Sequence, residues 1–333
     1  MSNEQLEKMV DTAPNIEVLN SFLVTDNKLK RCQKAVCSVS GGSDSDIMTD
    51  IIARLDFDKK VTFVFFDTGL EFQATKRHLC ELEKKYNIKI ERAKAIIPIP
   101  LCCRKYGVPF LSKQVSEFIS RLQRYNFKWE DRPFEDLYKE YPKCKAALKW
   151  WCNKWGEKSK FNISYNKYLK EFLIANPPQF KISNKCCHYA KKLVAKKFKE
   201  NGNFDLSIQG VRKAEGGARS SAYKNCFTPA TDNTIDEYRP VFWYKKETKE
   251  EYKNAYNIKY SDCYEIWGLP RTGCSGCPYA RDFEFELEVV KQFEPKLYKA
   301  LIKVFGKSYE YTRQYKVFCE QRSRDENPQL SFF

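Results

Sequence analysis

The stretch SGGSDS, residues 40–45, packs six small hydrogen-bonding residues between a β-prone run at 34–39 and a segment with Ile47, Ile51 and Leu55 every four residues. Where a strand hands over to a helix, free amides and the positive end of the helix dipole point at one spot, and glycine lets the backbone approach an anion. Ser40, Gly41, Gly42, Ser43, Asp44 and Ser45 are therefore a candidate phosphate seat. The loop lacks the Gly-Lys-Ser/Thr ending of a Walker A sequence and the spacing of the G-x-G-x-x-G fingerprint. A second set of reactive residues is Cys186-Cys187 followed, after 86 residues, by Cys274-Ser275-Gly276-Cys277-Pro278. Four thiolates suit a [4Fe–4S] cluster or a structural zinc. Adjacent cysteines converge awkwardly on one tetrahedral ion and more easily on the separate irons of a cluster, so the cluster is the favoured reading. Cys102-Cys103 and Cys263 are alternative sources of a ligand, while Cys32, Cys37, Cys80, Cys226, Cys144 and Cys152 read as packing or surface thiols. His78 and His188 are the only histidines. They suggest no Ser-His-Asp hydrolase.

These residues need a scaffold. Lys34–Val39 reads as a strand, 47–55 as a core-facing helix, and VTFVFF at 61–66 as a fully buried strand ending at Asp67-Thr68-Gly69. A charged helix over 73–86 precedes a strand from Ile88, continued by AIIPI at 95–99. Alternating strands and helices at this spacing predict an α/β fold: a parallel twisted sheet with helices on both faces, plus a helical insert. By composition the chain divides into a helical lead-in (1–33), the first part of an α/β core with the candidate phosphate seat (34–106), a helical insert rich in aromatics and lysine (107–183), the second part of the core with the paired cysteines (184–281), and a C-terminal helix and tail (282–333). Within the second core part, 184–199 reads as a basic helix and FDLSIQ at 204–209 as a strand.

The formal net charge is +16, and Lys139–Lys199 alone holds sixteen lysines, three acids and no arginine. Such a field favours polyanions, nucleic acid or a polyphosphorylated nucleotide. No apolar run is long enough for a membrane span, and the charged N-terminus lacks a signal-peptide core, so the expected compartment is the cytosol. Fourteen cysteines there are expected to be thiols and metal ligands rather than disulfides.

The loop resembles the SGGxDS element of the PP-loop, or N-type ATP pyrophosphatase, superfamily, with Ser43 at the variable position that is often lysine in its sulfur-metabolism branch. Asp67, Thr68, Gly69, Glu71 and Thr75 resemble the D-T-G-x-E-x-x-x-T pattern of the phosphoadenosine phosphosulfate (PAPS) reductase-like branch. Gly210, Arg212, Glu215 and Arg219 fit its G-x-R-x-x-E-x-x-x-R element, whose two guanidinium groups suit bidentate binding of phosphate or sulfate. The CC…CxxC arrangement is similar to that of adenylylsulfate reductases, where such cysteines hold a [4Fe–4S] cluster. Lys185, Lys191, Lys192 and Arg271 would offset its charge.

The resemblance implies an adenine nucleotide bound at 40–45 and at Asp67, Thr68, Gly69 and Gly210. Catalysis is expected from Asp44, Arg212, Glu215 and Arg219, with ATP and Mg²⁺. Because the first loop is intact, the leading expectation is cleavage of the α–β bond of ATP and adenylation of an acceptor, coupled to iron–sulfur-assisted sulfur transfer. The lysine-rich insert would hold a tRNA or DNA acceptor, and a sulfur donor protein would act with it. The alternatives are a sulfonucleotide reductase with Cys319 as nucleophile, although the tail lacks that family's Glu-Cys-Gly-Leu-His sequence, and a non-catalytic nucleotide- or nucleic-acid-binding subunit.

Overall fold

The computed structural model describes residues 10–216 and 222–326. The chain forms two units: residues 1–96 with 190–275, and residues 97–189 with 276–333. These divisions lie near, but not at, the composition boundaries, and Cys274 and Cys277 fall in different units.

The first unit is built on strands β1 (Ala35–Ser38), β2 (Val61–Asp67), β3 (Ile90–Lys94), β4 (Leu206–Gln209), β5 (Phe227–Thr228) and β6 (Asp236–Tyr238). Side chains alternate across the sheet. Ala35, Cys37, Phe63, Phe65, Leu206 and Ile208 join one core with Phe22, Ile47, Ile51, Leu79 and Tyr252 from the helices Ile16–Arg31, Ser43–Leu55, Gln73–Tyr86 and Lys246–Ala255. Val36 and Val64 face the other way, toward Phe198 of the helix Leu193–Asn201. Both faces are covered, as expected for a parallel sheet. Each fully buried aliphatic or aromatic side chain contributes roughly 1.5–3 kcal/mol.

The strand order is β3-β2-β1-β4-β6-β5, with every pair parallel except β5 and β6. The chain moves outward from β1 to β3 and then returns to the opposite side of β1 with β4. The order thus reverses between β1 and β4. In open α/β sheets, this is where ligands enter, beyond the carboxyl ends of the strands. The 40–45 loop follows β1 there, and Gly210 follows β4.

The second unit is helical, with a core of Phe110, Ile119, Leu148, Trp150, Trp151, Phe172 and Tyr311. Its helices include Ile99–Tyr106, Lys113–Arg124, Lys145–Trp151, Leu169–Ala175 and Pro295–Glu326.

Several local expectations change. The AIIPI run does not extend β3, because Ile99 opens a helix with Pro100 in its first turn, where a missing N–H is tolerated. The basic helix at 184–199 is a short turn, Lys185–Cys187, then a π-helical segment, His188–Lys192, then Leu193–Asn201. The C-terminal region is two helices, Phe283–Phe293 and Pro295–Glu326, with Cys319 on the second rather than in a polar tail. No described helix is long and apolar enough to cross a membrane.

Candidate functional site

The loop is held in shape by its own residues. The Ser40 amide donates to Ser45 Oγ at 2.8 Å, so this hydroxyl oxygen fixes the turn while its own proton is left to donate. Gly41 has φ +66°, and a Cβ there would lie 2.8 Å from Thr75 Cγ2. Gly42 precedes the helix Ser43–Leu55, whose first bond runs from the Asp46 amide to the Gly42 carbonyl at 2.9 Å. A Cβ on Gly42 would come 3.2 Å from Thr272 Oγ1 and the Tyr264 hydroxyl. The Tyr264 oxygen accepts from the amides of Thr272, at 3.0 Å, and Ser43. The 264–272 segment is therefore a wall of the loop that its sequence did not announce.

From β4, Gly210 packs directly on the loop helix: a Cβ there would sit 3.1 Å from the Asp44 carbonyl oxygen and the Ser45 backbone. Two residues on, Arg212 Nε lies 2.8 Å from Asp44 Oδ1 and Nη1 donates to the Tyr244 carbonyl at 3.3 Å. Lys249, from the first turn of Lys246–Ala255, places Nζ 2.5 Å from the same carboxylate oxygen and donates to Ser43 Oγ at 2.7 Å. Lys249 is buried. Its local sequence, KKETKEEYK, reads as a charged surface helix, and only the fold turns this lysine inward. Glu215 lies exposed in a short turn, Lys213–Glu215. Arg219 lies outside the described residues.

At the end of β2 the Gly69 amide donates to Asp67 Oδ1 at 2.9 Å, and Lys76 Nζ stands 3.5 Å from Asp67. Thr68 Oγ1 donates to Glu71 Oε1 at 2.6 Å and approaches Cys274 Sγ at 3.6 Å. Burial raises the Glu71 carboxyl pKa against the opposing charge of Lys191. Burial likewise pushes the Cys274 thiol up, again opposed by Lys191, which hydrogen-bonds to it. Lys191 therefore acts on both Glu71, just past the end of β2, and Cys274. Cys263 is buried 3.9 Å from Thr75 Oγ1.

In the second unit, Cys186 is hydrogen-bonded to Cys103 and Cys187 and lies near Cys277. The Cys103 bond is the largest influence raising its pKa. Cys102 is pushed up to about 11 by burial and feels Cys187 and Lys185. Tyr279 feels Cys186, Cys187 and Cys277. This unit thus gathers three of the four expected ligands and adds the Cys102-Cys103 pair, whereas Cys274 belongs to the first. Among the described residues no three His, Cys, Asp or Glu side chains stand where they could hold one metal ion in this conformation. The donor set, soft thiols beside lysines, is nevertheless the type an iron–sulfur cluster takes.

Residues 34–97, which carry β1, the loop, β2 and β3, match the family model of the phosphoadenosine phosphosulfate reductase domain. The resemblance of the loop and of the β2 end is borne out over that stretch. Among solved structures, the chain is similar to phosphoadenylyl-sulfate (PAPS) reductase from Candida auris in a phosphate complex, at 13% identity and TM-score 0.41, covering 82% of this chain and 96% of that one. It is also similar to the U34-tRNA thiolase from Methanococcus maripaludis with its [4Fe-4S] cluster, at 13% identity and TM-score 0.35, covering 90% and 80%. No curated protein matches the sequence.

Proposed function

We propose that the chain is a PP-loop enzyme that cleaves the α–β bond of ATP, adenylates an acceptor and couples this to sulfur transfer. The observation that carries the reading is the meeting of the loop, Gly210 and Arg212 where the strand order reverses, with Arg212 Nε 2.8 Å from Asp44. The leaving pyrophosphate rests on the amides at the start of Ser43–Leu55, where the helix dipole favours anions. Arg212 stabilises the charge that develops on the transferring phosphoryl group. An acceptor atom attacks the α phosphorus, and the bridging oxygen leaves with the pyrophosphate. Mg²⁺, held by phosphate oxygens, would neutralise further charge. A [4Fe–4S] cluster, for which Cys186, Cys187 and Cys277 of the second unit with Cys103 beside Cys186 would be the thiol donors, would provide an iron site for carrying sulfur.

The acceptor we infer is polyanionic, tRNA or DNA, with sulfur brought by a donor protein. The lysines of 139–199 support this, as does an exposed aromatic pair, Trp155 and Phe161, with ring centroids 6.0 Å apart and Lys149 Nζ 5.2 Å from the Trp155 ring. Lysines beside exposed rings suit phosphates and stacked bases.

The family-model match favours a second reading, a sulfonucleotide reductase. Its nucleophile, Cys319, lies on a helix with Sγ 3.6 Å from the Lys167 carbonyl, and burial raises its pKa. A thiol so placed is a weak nucleophile. Incubation with ATP and Mg²⁺, together with the acceptor, is expected to release AMP and pyrophosphate, and Asp44→Ala to abolish release. Sulfite formed from a sulfonucleotide and lost in Cys319→Ser would establish the second reading. Nucleotide binding without either product would overturn both. Protein purified without oxygen is expected to be brown and to contain iron and acid-labile sulfide.

A further inference from the structure

Two cations meet one carboxylate oxygen beside the loop. Asp44 is a single carboxylate, yet Arg212 Nε and Lys249 Nζ both converge on its Oδ1, at 2.8 and 2.5 Å. Asp46, paired with His78 at 2.8 Å, also feels the charge of Lys249. Two cations thus share one oxygen of Asp44 at the first turn of a thirteen-residue helix whose own dipole is positive at that end. A lysine removed from water in such a place calls for a full counter-charge.

Lys249 is nine-tenths buried, its residue only 9% exposed, and its ammonium is fixed between Asp44 and Ser43 Oγ, with the Tyr260 ring 5.9 Å away. An ammonium has three donors, enough to hold Asp44, Ser43 and a phosphate oxygen together. Nothing in the loop itself carries a positive side chain, because residue 43 is serine.

Resting on the nucleotide reading above, we propose that Lys249 is the phosphate-binding cation of the loop, provided from a distant helix, and that its ligand is the pyrophosphate portion of a nucleotide. A phosphate oxygen is then a third acceptor for its ammonium. Lys249 selects ligands with at least two linked phosphates, while Arg212 and the loop amides serve any phosphate.

The test is calorimetric titration of wild type, Lys249→Gln and Lys249→Arg with ATP, inorganic pyrophosphate and AMP, each sample checked by thermal melting. Loss of one charge-assisted bond is expected to weaken ATP and pyrophosphate binding by about 10- to 100-fold in Lys249→Gln. AMP binding should change much less, and Lys249→Arg should bind pyrophosphate close to wild type. Equal binding of ATP and pyrophosphate by wild type and a folded Lys249→Gln overturns the proposal and leaves the nucleotide site standing. Should Lys249→Gln fail to fold, Lys249→Met, which keeps an unbranched apolar stem without the charge, decides: weakened pyrophosphate binding with AMP binding kept supports the proposal, and pyrophosphate binding equal to wild type overturns it. A wild type that binds neither ATP nor pyrophosphate sinks the nucleotide reading itself, and this proposal with it.

Discussion

Gly41 shows how narrowly single residues define the loop. Its φ of +66° is in the left-handed region, and the space a methyl group would need is taken by Thr75 Cγ2 at 2.8 Å. Gly41→Ala therefore combines backbone strain with overpacking, and is expected to cost about 1–3 kcal/mol in urea unfolding. Because the same change displaces the amides that follow, pyrophosphate affinity should fall in parallel, measured by titration. The pattern SGGSDS was enough to place this glycine in the turn between β1 and its helix. That Thr75 is what excludes a side chain there was not legible, since it lies on the helix after β2. Ser45 makes the complementary point: its hydroxyl binds the Ser40 amide and serves the loop's shape.

At the scale of elements, the helix Ser43–Leu55 is anchored by buried polar groups. Asp46, fully buried, pairs with His78 of Gln73–Tyr86 at 2.8 Å. Asp50 accepts from Arg54 Nε and from the Tyr252 hydroxyl, each at 2.6 Å. Burial disfavours the charged His78 ring, but the hydrogen bond and charge of Asp46 outweigh it, and the pKa is raised above 6.5. Burial also raises Asp46, against the influence of His78. A raised histidine contributes stability that is complete below its unfolded pKa and is lost as pH rises through the folded value. A raised carboxyl acts in the same direction. The stability difference between wild type and His78→Gln should therefore be largest below about pH 6.5 and shrink as the solution becomes more alkaline. Urea midpoints at a series of pH values check this, and a difference that grows with pH would contradict the pairing. The periodicity of Ile47, Ile51 and Leu55 made the helix readable, but its interior carboxylates look like surface residues until the neighbouring helix closes over them.

For the molecule as a whole, two cores form from interleaved segments. In the second unit Trp150 and Trp151 are fully buried, Trp151 donating to the Glu130 carbonyl at 2.9 Å and packing against Phe127 and Trp129. They are core residues rather than platforms for bases. Trp151→Ala is expected to cost about 3–5 kcal/mol, read as a shifted denaturation midpoint with loss of tryptophan fluorescence change. Were that variant as stable as wild type, the aromatic cluster would not be the core of this unit.

The sequence by itself determined the parallel α/β class, the small-residue loop between β1 and its helix, and the β2 end at Asp67-Thr68-Gly69. All of these are local patterns, in which neighbouring residues fix the turn. Only the tertiary structure decided that Lys249 enters the loop from two hundred residues away, that Tyr264 and Thr272 wall it, and that Cys103 meets Cys186. The reason is geometric: strand order and helix packing bring these side chains together through space, and spacing along a chain carries no record of which buried face a distant helix will present.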